Sequence, residues 1–419
     1  MPEAKGISGL VERFRTERSW WIAAGLLTFG IIYPWIVDGL KSLPLIGDFM
    51  PRTESMVVIV VYTMMALGLN IVVGYAGLLD LGYVAFYAAG AYVAGWFASQ
   101  QFEQVRGGKG LHFLSVGAYK IIDGEKTPLS GIHLSMWLIL ILAGVFTTLV
   151  GIIIGLPTLR LRGDYLAIVT LGFGEIVPQF VRNGDSLGGF DLTHGTYGIS
   201  PIDSLGFGTF VFREQTDPNK FYNKASLYYW TSIGLLLFTI FCCIRLRDSR
   251  LGRAWVAIRE DETAAAAMGV PLMRTKTWSY AIGAFFGGVA GAFYASYKSG
   301  AFPADFYFNF SVFLLCMVIL GGMGSIWGVL AGGIILGYLN IEGLATIGSK
   351  VQDAGLNFDP TKYQFGIYGV LIVVMMLFRP TGLIPERRHK IEIAEGIHDT
   401  PFYDVQHEGT LTDRDSSDD

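Results

Sequence analysis

The sequence predicts an all-α integral membrane protein with about ten transmembrane helices, within a range of about eight to eleven, some of them discontinuous. Hydrophobic residues make up 52% of the 419 residues, and charged residues only 16%. The mean hydropathy is +0.46, and 54 residues are glycine. The apolar residues also form long runs, and a membrane-spanning helix needs roughly 20 of them. Composition and run length together place the chain in the membrane class.

About ten apolar segments of suitable length recur along the chain. They cover residues 20–37, 56–74, 81–98, 134–157, 165–181, 227–244, 278–297, 308–320, 326–344 and 365–378. Several of them are short or interrupted by glycine, which is why the predicted helix count is a range.

The basic residues predict the orientation of these helices. If both termini are cytoplasmic, the inside segments are residues 1–19, 158–163, 245–276 and 379–390, which carry 17 Lys and Arg. The outside loops are then residues 38–54, 99–133, 183–226, 298–307 and 348–364, which are longer in total and carry 12. Because cytoplasmic loops are enriched in Lys and Arg, this asymmetry favours cytoplasmic N- and C-termini and an even number of crossings.

We expect the chain to divide into a cytoplasmic N-terminal segment (residues 1–19), a transmembrane domain (20–390) and an acidic tail (391–419). No small-residue cleavage pattern follows the first apolar run, which we interpret as an uncleaved span. The tail carries nine Asp and Glu against one Arg. Such a composition is typical of a disordered, solvated cytoplasmic segment.

Several functional classes receive no support from the sequence. The three cysteines, Cys242, Cys243 and Cys316, fall inside apolar segments and indicate packing rather than metal binding or disulfides. The six histidines have no ligand spacing. The nearest match to a phosphate loop, residues 107–110, lacks the required first glycine. No nucleophile and base arrangement and no nucleic-acid motif stands out, so we expect neither an enzyme nor a bound cofactor. Any ATP would have to act through a partner.

A charged, alanine-rich segment at residues 251–270, here called the coupling segment, lies between two apolar runs. Its charged residues include Arg253, Arg259, Glu260, Asp261 and Glu262, each of which is costly in hydrocarbon. We therefore expect a cytoplasmic amphipathic helix of about 15 residues, a typical helix length. A rigid helix held between two spans can receive force from a soluble partner. The alternative interpretation is an ordinary interfacial helix.

Local signals predict where a short helix within the coupling segment begins and ends. Asp261 or Thr263 can start it, the alanine run that follows has high helix propensity, and Gly269 can stop it. Ala265 and Ala266 are small enough to let this helix seat closely in a groove of a partner. The charged cluster before them would then fix its register through ion pairs.

Glycine-rich residues interrupt the apolar segments at two places, residues 68–82 in the first half of the chain and residues 321–328 in the second. These two stretches are here called the first and second interruptions. Paired breaks of this kind are typical of a transport path, because irregular backbone at membrane depth must line a cavity or be buried in protein. Close helix packing by small residues is the alternative for any single glycine. Residues of a candidate path or gate are Asn70, Gly74, Gly77, Asp80, Thr170, Glu175, Gly321, Gly322 and Gly324.

Two of these candidates are ionisable. Asp80 and Glu175 lie in or beside apolar segments, where a charge costs roughly 2.5 to 3.5 kcal/mol at the centre of a lone helix. We therefore expect both to face protein, water or the interface. Glu175 follows a small, polar-tolerant face that includes Thr170, and a structural hydrogen bond is an alternative to a role in a path. Asp80 could instead cap the helix that starts at Leu81.

Five stretches of the chain together resemble the LivM family. They are residues 74–82, 159–175, 252–269, 320–325 and 379–385. This family supplies one of the two membrane subunits of bacterial ABC importers for branched-chain amino acids. The resemblance extends over about residues 60–387, and its motifs are long and occur in the family's order.

The resemblance implies a multi-pass permease of the bacterial cytoplasmic membrane. Its implied partners are a second, homologous permease, two cytoplasmic ABC ATPase subunits that bind ATP and Mg, an extracytoplasmic substrate-binding protein, membrane lipid and an amino-acid substrate. By the same resemblance, the coupling segment is the cytoplasmic loop that docks on an ATPase. This chain would itself bind no cofactor.

One loop departs from the family pattern, and other functions remain open. The loop at residues 188–199 is longer than the family's compact Gly-Gly-Pro-Asn-Gly-Ile and lacks its proline. The alternatives are a permease of the related importers for urea or short-chain amides, a proton-coupled secondary transporter that uses Asp80 and Glu175, and a structural membrane subunit with no path of its own.

Overall fold

The computed structural model describes residues 28, 30–37, 39, 50–103, 110–116, 119–122, 125–161, 164–186, 188–208, 210–215, 222–353 and 359–384. The predicted N-terminal segment (residues 1–19) and acidic tail (391–419) lie outside the described residues.

The described part is built mainly of α-helices. Residues 30–37 are helical, and the named helices of the first half are α1 (Thr53–Asn70), α2 (Val84–Phe97), α3 (Met136–Thr158), α4 (Asp164–Arg182) and α5 (Lys224–Asp248). The second half contains α6 (Arg250–Glu260), α7 (Glu262–Ala267), α8 (Leu272–Lys298), α9 (Phe308–Gly321), α10 (Ile326–Tyr338), α11 (Leu344–Asp353) and α12 (Gln364–Phe378). A π-helical turn extends α1 (Ile71–Tyr75), and another follows α10 (Leu339–Gly343).

These helices agree with the predicted apolar segments. Each segment from residue 56 onward overlaps at least one described helix, and the first overlaps the helical residues 30–37. Within the described part, six helices are long and apolar enough to cross a membrane, while α2 is apolar but shorter. The polytopic, mostly helical class is therefore confirmed. The number of about ten crossings stays a prediction.

The core lies where α8 packs along α2 and α3. Glycines allow this close approach, since a side chain at Gly90 would collide with the Gly288 carbonyl and one at Gly291 with the Tyr87 carbonyl. Small residues at such contacts let helices approach closely and gain van der Waals packing. The Tyr83 hydroxyl donates to the Gly283 carbonyl at 2.8 Å and further fixes α2 on α8.

Short strands join the loops at one end of the helices into a loop layer, defined as the described residues among 98–134, 183–223 and 298–307. One sheet has the order β1 (Ala98–Ser99), β5 (Ile132–Leu134), β2 (Leu111–Phe113), and two hairpins pair β3 (Tyr119–Ile122) with β4 (Glu125–Pro128) and β6 (Gly206–Phe207) with β7 (Phe210–Val211). Isolated bridges join Ser99 to Ile202 and Ile199 to Ala301. Three loops that were assigned to the same side from their charge thus pack together.

Candidate functional site

The coupling segment lies at the other end of the helices and consists of two helices rather than one. The predicted single helix of about 15 residues is wrong, because Asp261 adopts an extended conformation (φ −152°, ψ 109°) between α6 and α7. Its carboxylate accepts hydrogen bonds from the backbone N–H groups of Thr263 at 2.7 Å and Ala264 at 3.0 Å. Asp261 therefore starts the short helix, as one of the two predicted residues.

The predicted stop of this helix is also confirmed. Gly269 has a φ of +84°, a conformation that side-chain-bearing residues rarely adopt. Its N–H donates to the Ala266 carbonyl at 2.9 Å, and the Val270 N–H donates to the Ala265 carbonyl at 3.0 Å. This pair of bonds is the Schellman arrangement, which satisfies carbonyls at the end of a helix. The short helix α7 is thus capped at both ends.

Two charged residues of the coupling segment bind the chain itself. The Arg259 guanidinium donates from Nη1 to the Gly74 carbonyl oxygen at 2.7 Å, and its side chain packs against Gly77. The Glu262 carboxylate pairs with the ammonium of Lys276 at 2.9 Å, and the Lys276 side chain is only 5% exposed. The charged cluster was expected to pair with a partner, but these two members hold the segment on the bundle instead.

The remaining candidates of the segment differ in exposure. Ala265 is buried beneath α7, whereas Ala266 on the same helix is exposed. Arg253 and Glu260 are exposed on α6, and Arg253 donates to the Asp248 carbonyl at 3.0 Å. The coupling segment therefore presents small and charged side chains at its surface, while its buried side is attached to the helix bundle.

The two glycine-rich interruptions meet in the structure. The Asn70 side-chain oxygen accepts a hydrogen bond from the Gly324 N–H at 2.9 Å. Gly74 lies against both groups, so that a Cβ there would collide with Asn70 and stand 2.6 Å from the Gly324 nitrogen. Gly321 packs against Gly328, where a side chain would also collide. The two breaks therefore pack against each other at these glycines, whereas Leu79, Met323 and Trp327 lie at the surface of the chain.

The C-terminal end of the described chain also joins this contact. The N–H groups of Leu383 and Ile384 donate to the carbonyls of Leu320 and Gly321 at 3.0 and 3.1 Å. Gly322 adopts a φ of +114°, and a Cβ there would stand 3.0 Å from the Thr381 carbonyl. The coupling segment, both interruptions and residues 381–384 are therefore joined by direct contacts.

Asp80 and Thr170 close the first interruption. The Asp80 carboxylate accepts from the Gly82 N–H at 2.8 Å, and the Thr170 hydroxyl accepts from the Leu81 N–H at 3.1 Å. Both side chains are buried. The following helix begins at Val84 rather than Leu81, so Asp80 stabilises the turn that precedes α2.

Glu175 occupies a different environment. It lies on the exposed face of α4, together with Ile168 (64% exposed) and Ile176 (60% exposed). Asp80, by contrast, is buried beside Tyr280. The fold therefore places Asp80 in the interior and Glu175 on a surface of the chain.

Sequence reasoning missed a buried ion pair in the loop layer. The His133 Nδ1 lies 2.7 Å from an Asp203 carboxylate oxygen, with side-chain exposures of 1% and 11%. The His112 ring stacks on His133 with a centroid distance of 5.0 Å. The chain separation of 70 residues explains why no local pattern signalled this pair.

Burial and the contact between the two side chains together shift the pKa of both groups. Burial lowers the pKa of His133, but the hydrogen bond and charge of Asp203 raise it by more, so its pKa lies above the usual value. Burial also raises the pKa of Asp203, against the opposing effect of His133. Both groups therefore hold protons more tightly in the folded chain than in the unfolded chain.

Comparisons with known proteins agree with this architecture. The family described as branched-chain amino acid transport system, permease component, matches residues 52–376. The chain is 34% identical to the high-affinity branched-chain amino acid transport system permease protein LivM of Salmonella typhimurium over 387 residues, which are 88% of this chain and 76% of that protein. It is also 34% identical to LivM of Escherichia coli strain K12 over 352 residues, 80% of this chain and 70% of that protein.

A shorter similarity relates the chain to a second permease of the same system. It is 30% identical to the permease protein LivH of Escherichia coli strain K12 over 163 residues, 38% of this chain and 47% of that protein. No solved structure matches the chain. The match over most of the helical region and the identity to LivM proteins establish that the chain belongs to the LivM family of branched-chain amino acid transport permeases.

Proposed function

We propose that the chain is the permease subunit of an ATP-driven importer that moves branched-chain or related hydrophobic amino acids across the bacterial cytoplasmic membrane. It crosses the membrane about ten times, with both termini in the cytoplasm. Family membership and the names of the LivM relatives support the amino-acid substrate over urea or a short-chain amide. The similarity to LivH supports pairing with a second homologous permease.

The other partners follow from the same proposal. Two cytoplasmic ATPase subunits hold ATP and Mg, and an extracytoplasmic binding protein delivers the amino acid to the loop layer. Closure of the ATPase pair moves the coupling segments of both permeases, and the permeases rock about a shared central path. Selection of the amino acid lies mainly in the binding protein.

The link between the coupling segment and the first interruption is the observation that carries this mechanism. A force on α7 would reach the bundle through the Lys276–Glu262 pair, and a force on α6 would reach the Gly74 carbonyl through Arg259. Hydrogen bonds that involve a charged group are stronger than neutral ones. The attachment therefore resists displacement of the segment relative to the bundle, as force transmission requires.

The test changes the exposed Ala266 of α7 and Arg259, which links α6 to the bundle. Ala266→Trp places a large side chain on the exposed face, and we expect it to leave membrane insertion and assembly intact but to lower substrate-stimulated ATP hydrolysis by roughly tenfold or more, the loss expected from about 1.4 kcal/mol. Arg259→Ala should lower amino-acid uptake per ATP hydrolysed, because the link to Gly74 is lost. Both activities are measured in vesicles with the complete importer and binding protein.

The control is Leu377→Trp, which adds the same side chain on α12, where Leu377 is 76% exposed. This variant should retain stimulated hydrolysis and uptake. If Ala266→Trp and Arg259→Ala, at normal assembly, behave like the control, the coupling segment is an interfacial helix and the proposed mechanism fails.

A further inference from the structure

A cavity of about 300 Å³ lies inside this single chain, near the loop-layer end of the helices. Its walls come from α1, α2, α8, α9 and α12, together with the 3-10 turn Pro303–Asp305 and the π-helical turn after α10. A volume of this size is at the lower end of the range of small-molecule sites, roughly 300 to 1,000 Å³. The cavity thus suits a compact ligand.

One side of the cavity is aromatic. Tyr62 and Phe310 have ring centroids 4.9 Å apart, and Tyr87 lies 5.4 Å from Phe310. Tyr294 closes the group at 6.5 Å from Tyr62 and 6.0 Å from Tyr87. Aromatic rings offer apolar area to a hydrocarbon chain and their electron-rich faces to a cation. This wall can therefore accept both an aliphatic group and an ammonium group.

The other side of the cavity is polar. Asp305 lines it, and amide side chains are contributed by Asn309, Asn340 and Gln364. The Asn340 side-chain oxygen accepts a hydrogen bond from the Tyr368 hydroxyl at 2.9 Å, which fixes its orientation. A site with an apolar wall and a few placed polar groups is the usual composition of a ligand pocket.

An ion pair borders the cavity, since Asp305 lines it and Lys298, which lies outside the lining, pairs with Asp305. The Lys298 ammonium lies 2.6 and 2.7 Å from the two carboxylate oxygens of Asp305. The two side chains are 36% and 20% exposed. A partly exposed ion pair contributes little net stability, because water solvates the separated charges well. A ligand with both charges can replace it by two new pairs.

We propose that this cavity binds a small zwitterionic amino acid with an apolar side chain. The ligand's ammonium group pairs with Asp305 beside the tyrosine rings, its carboxylate pairs with Lys298, and its aliphatic side chain contacts Tyr62, Tyr87 and Phe310. The identity of this amino acid as the transported substrate, and the placement of the cavity on the extracytoplasmic side, rest on the proposed function.

The experiment measures binding by the full chain alone, in nanodiscs of phosphatidylglycerol, a lipid with no ammonium group. The probes are radiolabelled leucine, 4-methylpentanoate (which lacks the amino group) and 3-methylbutylamine (which lacks the carboxylate). Leucine should bind roughly tenfold or more tightly than either analogue, since each charged hydrogen-bonded contact contributes about that factor. Equal affinity for all three probes, or no leucine binding by monodisperse protein, overturns the proposal.

Two variants assign the two charges. Asp305→Asn should weaken leucine binding by roughly tenfold and leave 4-methylpentanoate unaffected or improved, whereas Lys298→Gln should weaken leucine similarly and spare 3-methylbutylamine. Asp191→Asn and Lys224→Gln are matched controls, because Asp191 pairs with His194 and Lys224 lies over the Tyr297 ring, neither of which lines the cavity, whereas Lys298 pairs with the lining residue Asp305. Identical losses for the controls, or none for the two variants, would contradict the assignment.

A third variant keeps the test independent of the ion pair. Phe310→Leu removes an aromatic wall while leaving both charges, and it should weaken the binding of leucine and of 3-methylbutylamine together.

Phosphatidylethanolamine added to the nanodiscs distinguishes a headgroup ligand, since competition by this lipid at concentrations where leucine has no effect would overturn the amino-acid assignment. Normal uptake by an assembled importer with Asp305→Asn and Lys298→Gln would remove this site while leaving the proposed function intact.

Discussion

The two ends of the molecule are held together by different kinds of contact. At the coupling end, side chains hold the capped helices on the bundle, through the buried Trp255, the Arg259 contact to Gly74 and the Glu262–Lys276 pair. At the loop-layer end, backbone bridges such as Ser99 to Ile202 join the loops, and the buried His133–Asp203 pair lies between them.

The difference indicates how each end responds to a partner. Backbone pairing distributes a contact over many groups, so the loop layer can present one fixed surface. The coupling end is attached through side chains instead: Trp255 is fully buried and donates its indole N–H to the Thr275 carbonyl at 2.8 Å, and Arg259 and Glu262 add charged contacts, while Ala266 stays exposed. A force on this end would therefore reach specific backbone positions in the interrupted helices.

The largest expected difference between the two ends is their accessibility across the membrane. In a chain whose three native cysteines are replaced by alanine, Tyr197→Cys in the loop layer should react completely with a membrane-impermeant thiol reagent in intact cells. Met268→Cys in the coupling segment should react only after permeabilisation, because this end is predicted to be cytoplasmic. Tyr197 and Met268 are 81% and 85% exposed, so the folded chain shields the two positions from the reagent to a similar, small extent. Labelling of Met268→Cys in intact cells would reverse the orientation.

A glycine substitution at each end should separate close packing from local backbone strain. Gly74→Ala forces a Cβ against Asn70 and the Gly324 backbone, and we expect a loss of about 1 to 3 kcal/mol in unfolding free energy. Gly208→Ala in the loop layer meets nothing within 4 Å but must adopt a φ of +58°, which costs about 1 kcal/mol. Thermal unfolding of the detergent-solubilised protein measures both.

The outcome also tests whether the two interruptions pack against each other at Gly74 and Gly324. Gly366→Ala is the control, since this glycine has neither a close neighbour nor a positive φ. If Gly74→Ala unfolds at the same temperature as Gly366→Ala, the contact between the two interruptions is not as close as described.

The smallest expected effect is a pH dependence of the loop layer. The raised pKa of His133 means that its pairing with Asp203 stabilises the folded chain fully below the ordinary histidine pKa and that this stabilisation is lost as pH rises through the raised value. Hydrogen exchange of residues 132–134, corrected for the intrinsic pH dependence of exchange, should therefore show less protection above that pH. Protection of α7 at the coupling end provides the internal comparison. Asp203→Asn should reduce the pH dependence, and an unchanged profile would contradict the role of the pair.

The sequence by itself determined the features that depend on nearby residues. Long apolar runs specify the helices, because apolar length matches the thickness of a membrane. The ends of α7 were predictable from Asp261 and Gly269, since caps are local hydrogen-bonding arrangements. The same motifs were sufficient to indicate the LivM family, which the comparisons established.

Only the tertiary structure decided which distant residues meet. The Arg259–Gly74 contact spans 185 residues of chain, and the Asn70–Gly324 contact spans 254. No periodicity encodes such pairs, because they depend on how whole helices pack and turn. The same packing buried Asp80, exposed Glu175 and brought five helices around the aromatic cavity. Local sequence thus specified the elements and their ends, whereas helix packing specified the contacts through which they can act.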